Sequence, residues 1–490
     1  MSALPEAVSI GLASAHYLAA AGDRRALSLA LASGGRRSEP ARLCLEAAIA
    51  QHDADLDRCV ALFRRALFAA EGQEKAYVTD LLAPIFVTQN RLDEAEALLE
   101  VDYRHSEFEA ARLALKAVCL ARRGEVSAAR ALRRAIERMD CSHSILIASR
   151  VAQRLALSCF YSHDYEEALN HSDRCGPLYA SIGADRLAAG AYSVSYIIHH
   201  TVTGDILEAR RFAELITSAA QRGGDTSYVV LGLAAQYEIA AEMADEKRLL
   251  ALRALLRREA RPELYKERFA ARLADFVPFA WSGDFGAFRS GIVVVADALA
   301  TTFGMKSLCL ALESLALLAM DDRENAARTA RRALHLAGQK PAASDSAFER
   351  RYRRLGRALA AVACLLLGDR IRGKRALATK DAQSSLESSA LEAVAQGGGW
   401  TRAPQRIRGY ARIVEAARRS VRKHVTHPLL TTSELAVLRS FADGMTVAQI
   451  ARDSGRSVHT VRNHTASAMQ KLRARDRLAA VAQARRNGLL

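Results

Sequence analysis

Through the first four hundred residues, apolar positions recur at the helical period and almost never alternate at period two. Leu92, Ala95, Leu98 and Leu99 share one helical face, in a stretch rich in Ala and Leu. The pattern predicts helices. A local signal recurs within it: a turn residue, an apolar residue two positions on, and a small residue three further. It occurs at Asn90, Leu92 and Ala95; at Gly124, Val126 and Ala129; at His163, Tyr165 and Ala168; and at Gly204, Ile206 and Ala209. The closing alanines lie 34, 39 and 41 residues apart. Gly283 and Phe285 open a later copy that closes at Phe288. Asp322 and Ala327 frame another, with polar Glu324 at its middle position. Gly368 and Asp369 mark one near the end, and Cys59 closes an early one. The copy expected near 245–250 is weak.

A period in this range predicts paired helices stacked into a solenoid. The Gly or Asn ends one helix, and the small residue lets the next approach closely. The array resembles tetratricopeptide repeats, although its longer spacings and missing aromatics make it TPR-like. A stack of this kind implies a concave surface that receives a peptide, a partner protein or a small ligand. Residues 1–395 are assigned to this sensor or interaction region. Three glycines and a proline between Gln396 and Pro404 predict a break. A basic helix over about Arg406–Lys423, closed by Pro428, completes a linker over 396–428.

Residues 429–490 read as four short helices. Thr431 with Glu434 three residues on forms a capping box, and Leu430 can staple to Leu435. The first helix is expected to bury Leu435, Leu438 and Phe441 and to stop at Gly444. Thr446 caps a second helix carrying Val447, Ile450 and Ala451. Ser454-Gly455-Arg456 is the turn, with Gly455 free to take positive φ. Ser457 caps a third helix with Val461, Ala468 and Leu472 inward. Asp476 caps a fourth that is expected to pack through Leu478, Val481 and Ala482. Helix, short turn, helix is the arrangement that sets its second member in a major groove. The outward face of the third helix offers His459, Arg462, Asn463 and Ala466, flanked by Thr460, His464, Gln470, Lys471 and Arg473. Arg and Asn make bidentate contacts to guanine and adenine edges, whereas hydroxyls, Lys471 and helix N-termini suit phosphates.

Charge sharpens this reading. The chain carries 70 Lys+Arg against 54 Asp+Glu, a balance of +16. From Gln405 to the C-terminus there are 17 basic and 5 acidic residues, +12, so the remainder holds only +4. Such asymmetry points to a polyanion.

The segments LTTSELAVL, FADGMTVAQIA and SVHTVRNHTASAMQKL, over about Leu430–Ala484, resemble the LuxR-type (GerE-like) DNA-binding domain. Thr460-Val461, His464 and Lys471-Leu472 carry the strongest part of the likeness. The resemblance implies Arg462, Asn463 and Ala466 at base-reading positions, and Thr446, Ser457, Thr460 and Lys471 at the DNA backbone. It also implies a homodimer through the fourth helix, on double-stranded DNA. Ser454 and Arg456 depart from residues that are usually apolar, and Ala468 is smaller than the usual Ile. The expected fold is all-α: a TPR-like helical-repeat solenoid followed by a small four-helix LuxR-type helix-turn-helix domain.

Other chemistries find little support. The longest uncharged apolar run, between Arg357 and Asp369, has 11 residues, against the roughly 20 that cross a bilayer. The N-terminus lacks a secretory pattern, and the eight cysteines form no CxxC, so reduced core thiols in a cytoplasmic protein are expected. No receiver domain and no P-loop is visible, and Gly373-Lys374 lacks the spacing for one. His163, His171 and Cys175, and His199-His200, are read as structural, so no metal, cofactor or catalytic residue is assigned. The protein is expected to be a transcription regulator whose array receives an unknown protein or small-molecule signal. The alternative is an interaction scaffold or anti-regulator whose C-terminal bundle docks protein.

Overall fold

The structure, a computed structural model, describes residues 11–21, 24–33, 38–72, 74–100, 108–139, 144–261, 263–298, 303–339, 347–379, 386–425, 430–472, 474–486 and 489–490. The first ten residues, Cys141, Pro428 and Arg473 lie outside them. Among the described residues the chain is helical, with no strand. The first helices are α1 (Leu12–Ala21), α2 (Arg24–Ala32), α3 (Glu39–His52), α4 (Leu56–Ala69), α5 (Glu74–Thr88), α6 (Leu92–Leu99), α7 (Glu109–Arg123) and α8 (Val126–Ile136). Then come α9 (Ile145–Tyr161), α10 (Tyr165–Ser181), α11 (Asp185–Ile198), α12 (Ile206–Arg222), α13 (Thr226–Met243), α14 (Glu246–Glu259), α15 (Tyr265–Ser282) and α16 (Phe285–Ala298). They are followed by α17 (Phe303–Ala319), α18 (Arg323–Gly338), α19 (Ala347–Leu366), α20 (Arg370–Leu377), α21 (Leu386–Gln396) and α22 (Arg408–Val425). The last four are α23 (Thr432–Ala442), α24 (Val447–Asp453), α25 (Val458–Lys471) and α26 (Arg477–Arg486).

Two compact units divide the fold. One comprises residues 1–241, 245–275 and 340–351, and the other 242–244, 276–339 and 352–490. In the first, consecutive helices pack as hairpins, α3 on α4, α9 on α10 and α11 on α12. In the second, α17 packs on α18.

The recurring turn has one physical form. Asn90, Gly124, His163 and Gly204 all take left-handed backbone, at φ 62°, 86°, 66° and 69°. Behind Gly124, the Glu125 N–H donates to the Leu120 carbonyl at 2.9 Å, closing the last turn of α7. Five residues past each turn the side chain is fully buried: Ala95, Ala129, Ala168 and Ala209 are all 0% exposed. One register needs correction. The left-handed residue before α18 is Asp321, at 64°, and the buried small residue is Ala326, not Ala327. Asp322 is already the cap, accepting from the Asn325 N–H at 3.2 Å. The weak copy near 245–250 is present, with Ala244 left-handed at 59° and Leu249 buried. Its turn residue is neither Gly nor Asn and its closing residue is large, so the signal was hidden. Replacing Ala129 or Ala168 by Leu should overpack a hairpin and cost about 1–2 kcal/mol. An unchanged melting curve for both variants would refute the register.

Burial elsewhere follows the chemistry of the groups. In the first unit the buried Asp80 carboxylate accepts from His16 at 2.9 Å and forms ion pairs with Arg150 and, at 2.8 Å, with Arg154, so charges taken from water meet their opposites. The seven described cysteines are buried. Burial pushes the thiols of Cys44 and Cys175 up to about 12, which makes them core groups, not nucleophiles.

The basic linker stretch forms α22, which packs on α17 and α21 in the second unit. Ile407, Ala411, Ile413, Val414 and Ala417 are buried. Ser420 Oγ donates to the Ala319 carbonyl at 2.8 Å, and the Arg412 guanidinium lies 5.1 Å from the Trp281 ring and 5.7 Å from the Trp400 ring. Its apolar side is thus spent on protein. No described helix is long and apolar enough to cross a membrane.

Candidate nucleic-acid interface

The C-terminal helices are set by their caps. At the start of α23 the Thr431 hydroxyl accepts from the Glu434 N–H, and the Glu434 carboxylate accepts from the Thr431 N–H. Thr446 and Gln449 form a second capping box on α24, and Ser457 Oγ accepts from the Thr460 N–H at 3.0 Å to start α25. Gly444 and Gly455 turn the chain between helices at φ 84° and 63°. The inward stripe of α25 is as expected, with Val461 and Ala468 0% exposed and Leu472 7%.

Packing departs from expectation on two helices. In α23 the buried apolar residues are Val437 and Leu438, while Leu435 is half-buried. The packed face keeps Leu438 and Phe441 and takes in Val437 in place of Leu435, because α23 meets both α25 and α26. In α26 the packing residues are Ala480, Val481 and Ala484. Leu478 is 75% exposed and Ala482 is exposed, so both point away from the bundle. Leu489 and Leu490 pack against the cluster around Ala468. The two polar departures find partners: Ser454 Oγ donates to the Ile450 carbonyl at 2.5 Å, and Arg456 donates to Ser433 Oγ at 3.1 Å.

The outer face of α25 is open. His459, Arg462, Asn463, Ala466 and Gln470 are exposed, while Thr460 and His464 are half-exposed. Their spacing, i, i+3, i+4, i+7 and i+11, makes one stripe opposite Val461, Ala468 and Leu472. Thr446 and Ser457 are exposed at the N-termini of α24 and α25, where backbone amides favour anions.

Lys471 differs from this group. Its Nζ lies 2.8 Å from Glu434 Oε1 and 2.9 Å from Oε2, and Ser467 Oγ donates to the same carboxylate at 2.6 Å. Glu434 is 3% exposed. Burial alone would raise its pKa. Hydrogen bonds from Lys471, Ser467 and the Thr431 amide, with the Lys471 charge, outweigh that and hold the carboxyl at about 2. The sequence marks Glu434 only as a cap residue. Its second role needs α25 docked on α23, which no local pattern contains. Lys471, expected to stand clear of the core, therefore helps to hold it.

Residues 428–484 match the family described as bacterial regulatory proteins, luxR family. A search of curated proteins finds no match to the chain. With two capped helices around the Gly455 turn and a polar outer stripe on the second, residues 428–484 are a LuxR-family helix-turn-helix domain.

Proposed function

We propose that this chain is a DNA-binding transcriptional regulator in which α25 enters the major groove. Arg462 and Asn463 read base edges, with His459, His464 and Ala466 beside them. Thr446, Ser457 and Thr460 meet phosphates. The observation that carries the reading is the matched domain with its exposed Arg462/Asn463 stripe. Lys471 is the least available of the predicted contacts, because Glu434 already neutralises it.

Two chains pair through the fourth helix, where exposed Leu478 and Ala482 offer an apolar contact one helical turn apart. The helical array over 1–395 receives a protein or small-molecule signal, and 396–428 joins it to the reader. Acting on DNA places the protein in the cytoplasm, and no catalytic role is assigned to it.

The intact protein should protect discrete sites when genomic DNA is footprinted, and its affinity for duplex DNA should fall steeply with salt. If each protomer neutralises about three to five phosphates, the loss between 50 and 200 mM salt is about 40- to 500-fold. A salt-insensitive interaction without footprints would favour the scaffold reading.

A further inference from the structure

A second cationic surface lies in the unit that carries the reader. On α18, Ala326, Ala330, Ala333 and Ala337 form the buried stripe, each 0% exposed. The opposite stripe is exposed and contains Arg331 and Arg332. On α20, Gly373 is buried while Arg370, Arg372, Lys374 and Arg375 are exposed. Gly373 is required there: a Cβ would fall 2.6 Å from the Leu365 side chain and 3.0 Å from the Ala361 carbonyl. α20 thus rests on α19 at its one glycine and turns its charges outward. Arg357 of α19 ties the two helices together, donating to the Ala337 carbonyl at the end of α18 and to Thr379 Oγ1, 3.1 Å away, just past α20.

Little acid balances this surface. Glu324 pairs with Arg328 and Asp369 with Arg372. Among the described residues, Arg331, Arg332, Arg370, Lys374 and Arg375 have no acidic partner. Within each helix the exposed cations stand close in sequence and repel one another, and a polyanion relieves that repulsion while releasing its own counterions.

We infer that the α18–α20 surface is a second contact for the phosphate backbone of duplex DNA flanking the site held by α25. The inference rests on the DNA-binding reading proposed above. Two observations select DNA as the polyanion. The same chain delivers it: α22 packs on α17 in this unit, and α22 and α23 are separated by only six residues of sequence, 426–431. Bound DNA is therefore tethered near the surface at a local concentration of order millimolar. Acidic lipid fits less well, because Ile371 is the only large apolar side chain α20 exposes, whereas an interfacial helix needs an apolar face.

The test uses the full-length chain and its R331Q/R332Q/R370Q/K374Q/R375Q variant. Binding to labelled 16-bp and 40-bp duplexes of mixed sequence is followed by anisotropy between 50 and 200 mM NaCl. On the 40-bp duplex the variant should bind about tenfold or more weaker at 100 mM salt. Its log–log salt slope should be shallower by about three, at roughly 0.9 per phosphate contact. On the 16-bp duplex the two proteins should agree, and their melting curves should coincide because all five side chains are exposed. Equal affinity and slope on the 40-bp duplex would overturn this inference alone. A wild type that binds neither duplex would overturn the helix-turn-helix reading with it. Binding of the wild type, but not the variant, to phosphatidylserine vesicles with unchanged DNA slopes would reassign the surface to lipid.

Discussion

Lys471→Ala should destabilise the C-terminal domain by about 2–3 kcal/mol, well beyond the loss of an ordinary surface lysine. The side chain is 29% exposed, but the side chain of its partner Glu434 is only 4% exposed. Removing the ammonium leaves a buried carboxylate with only Ser467 and the Thr431 amide. Stranding one member of a fully buried pair costs about 3–5 kcal/mol, and the partial exposure of Lys471 lowers that figure. A four-helix domain of this size has a small core and correspondingly little stability to lose. Hydrogen exchange of the α23 and α25 amides, followed in the intact chain, should quicken by about 30- to 150-fold in the variant. Glu434→Gln combined with Lys471→Met should recover much of the loss by removing both charges. Exchange rates equal to wild type in Lys471→Ala would show that the clamp carries no weight. The salt slope of DNA binding, measured far below the melting temperature, should barely change, because Glu434 already neutralises the cation.

The same contact fixes an acid limit. The Glu434 carboxyl titrates near 2 in the folded domain, against an ordinary 4.5. A depressed carboxyl pKa stabilises the fold fully above the unfolded value and loses that contribution as pH falls through the folded one. The stabilisation, about 3 kcal/mol for this shift, should be complete above about pH 5 and lost toward pH 2. Protection of α23 and α25 in wild type should therefore fall toward that of Glu434→Gln over this range.

What could be read from the chain beforehand follows from the range of the forces. Caps and turns are local, so Thr431, Thr446, Ser457 and Gly455 were legible at single-residue resolution. The repeat register was legible at Asn90, Gly124, His163 and Gly204, but not at Gly183 and Gly224, which take the same left-handed turn with polar Asp185 and Thr226 two positions on. It failed by one residue at Asp321-Asp322, where two adjacent aspartates compete for turn and cap. It faded at Ala244, which takes the same backbone without a compositional mark. Helical periodicity gave an inward stripe for α25, which meets its neighbours on one side. It misassigned Leu435 and Leu478, because facing helices decide which of several apolar residues on α23 and α26 is covered. The Glu434–Ser467–Lys471 contact joins positions 33 and 37 residues apart, and pairing at that distance is set by docking. The α18–α20 surface was hidden for the same reason, since α18 and the segment past α20 are joined through Arg357 of α19.

Base readout is the second large effect, and it decides the function. Arg462→Ala removes the exposed guanidinium from the centre of the α25 stripe, on the side opposite buried Val461 and Ala468. It should cost about 1–3 kcal/mol at the preferred site and relax the choice of one base pair, leaving the fold intact. Selection of bound sequences from a random duplex library, with wild type and Arg462→Ala side by side, measures both quantities. A wild-type motif that loses information at one base pair in the variant, with affinity down by about 5- to 150-fold, is the predicted result. An Arg462→Ala protein that recovers the same motif at the same affinity would show that this face of α25 does not lie in the groove.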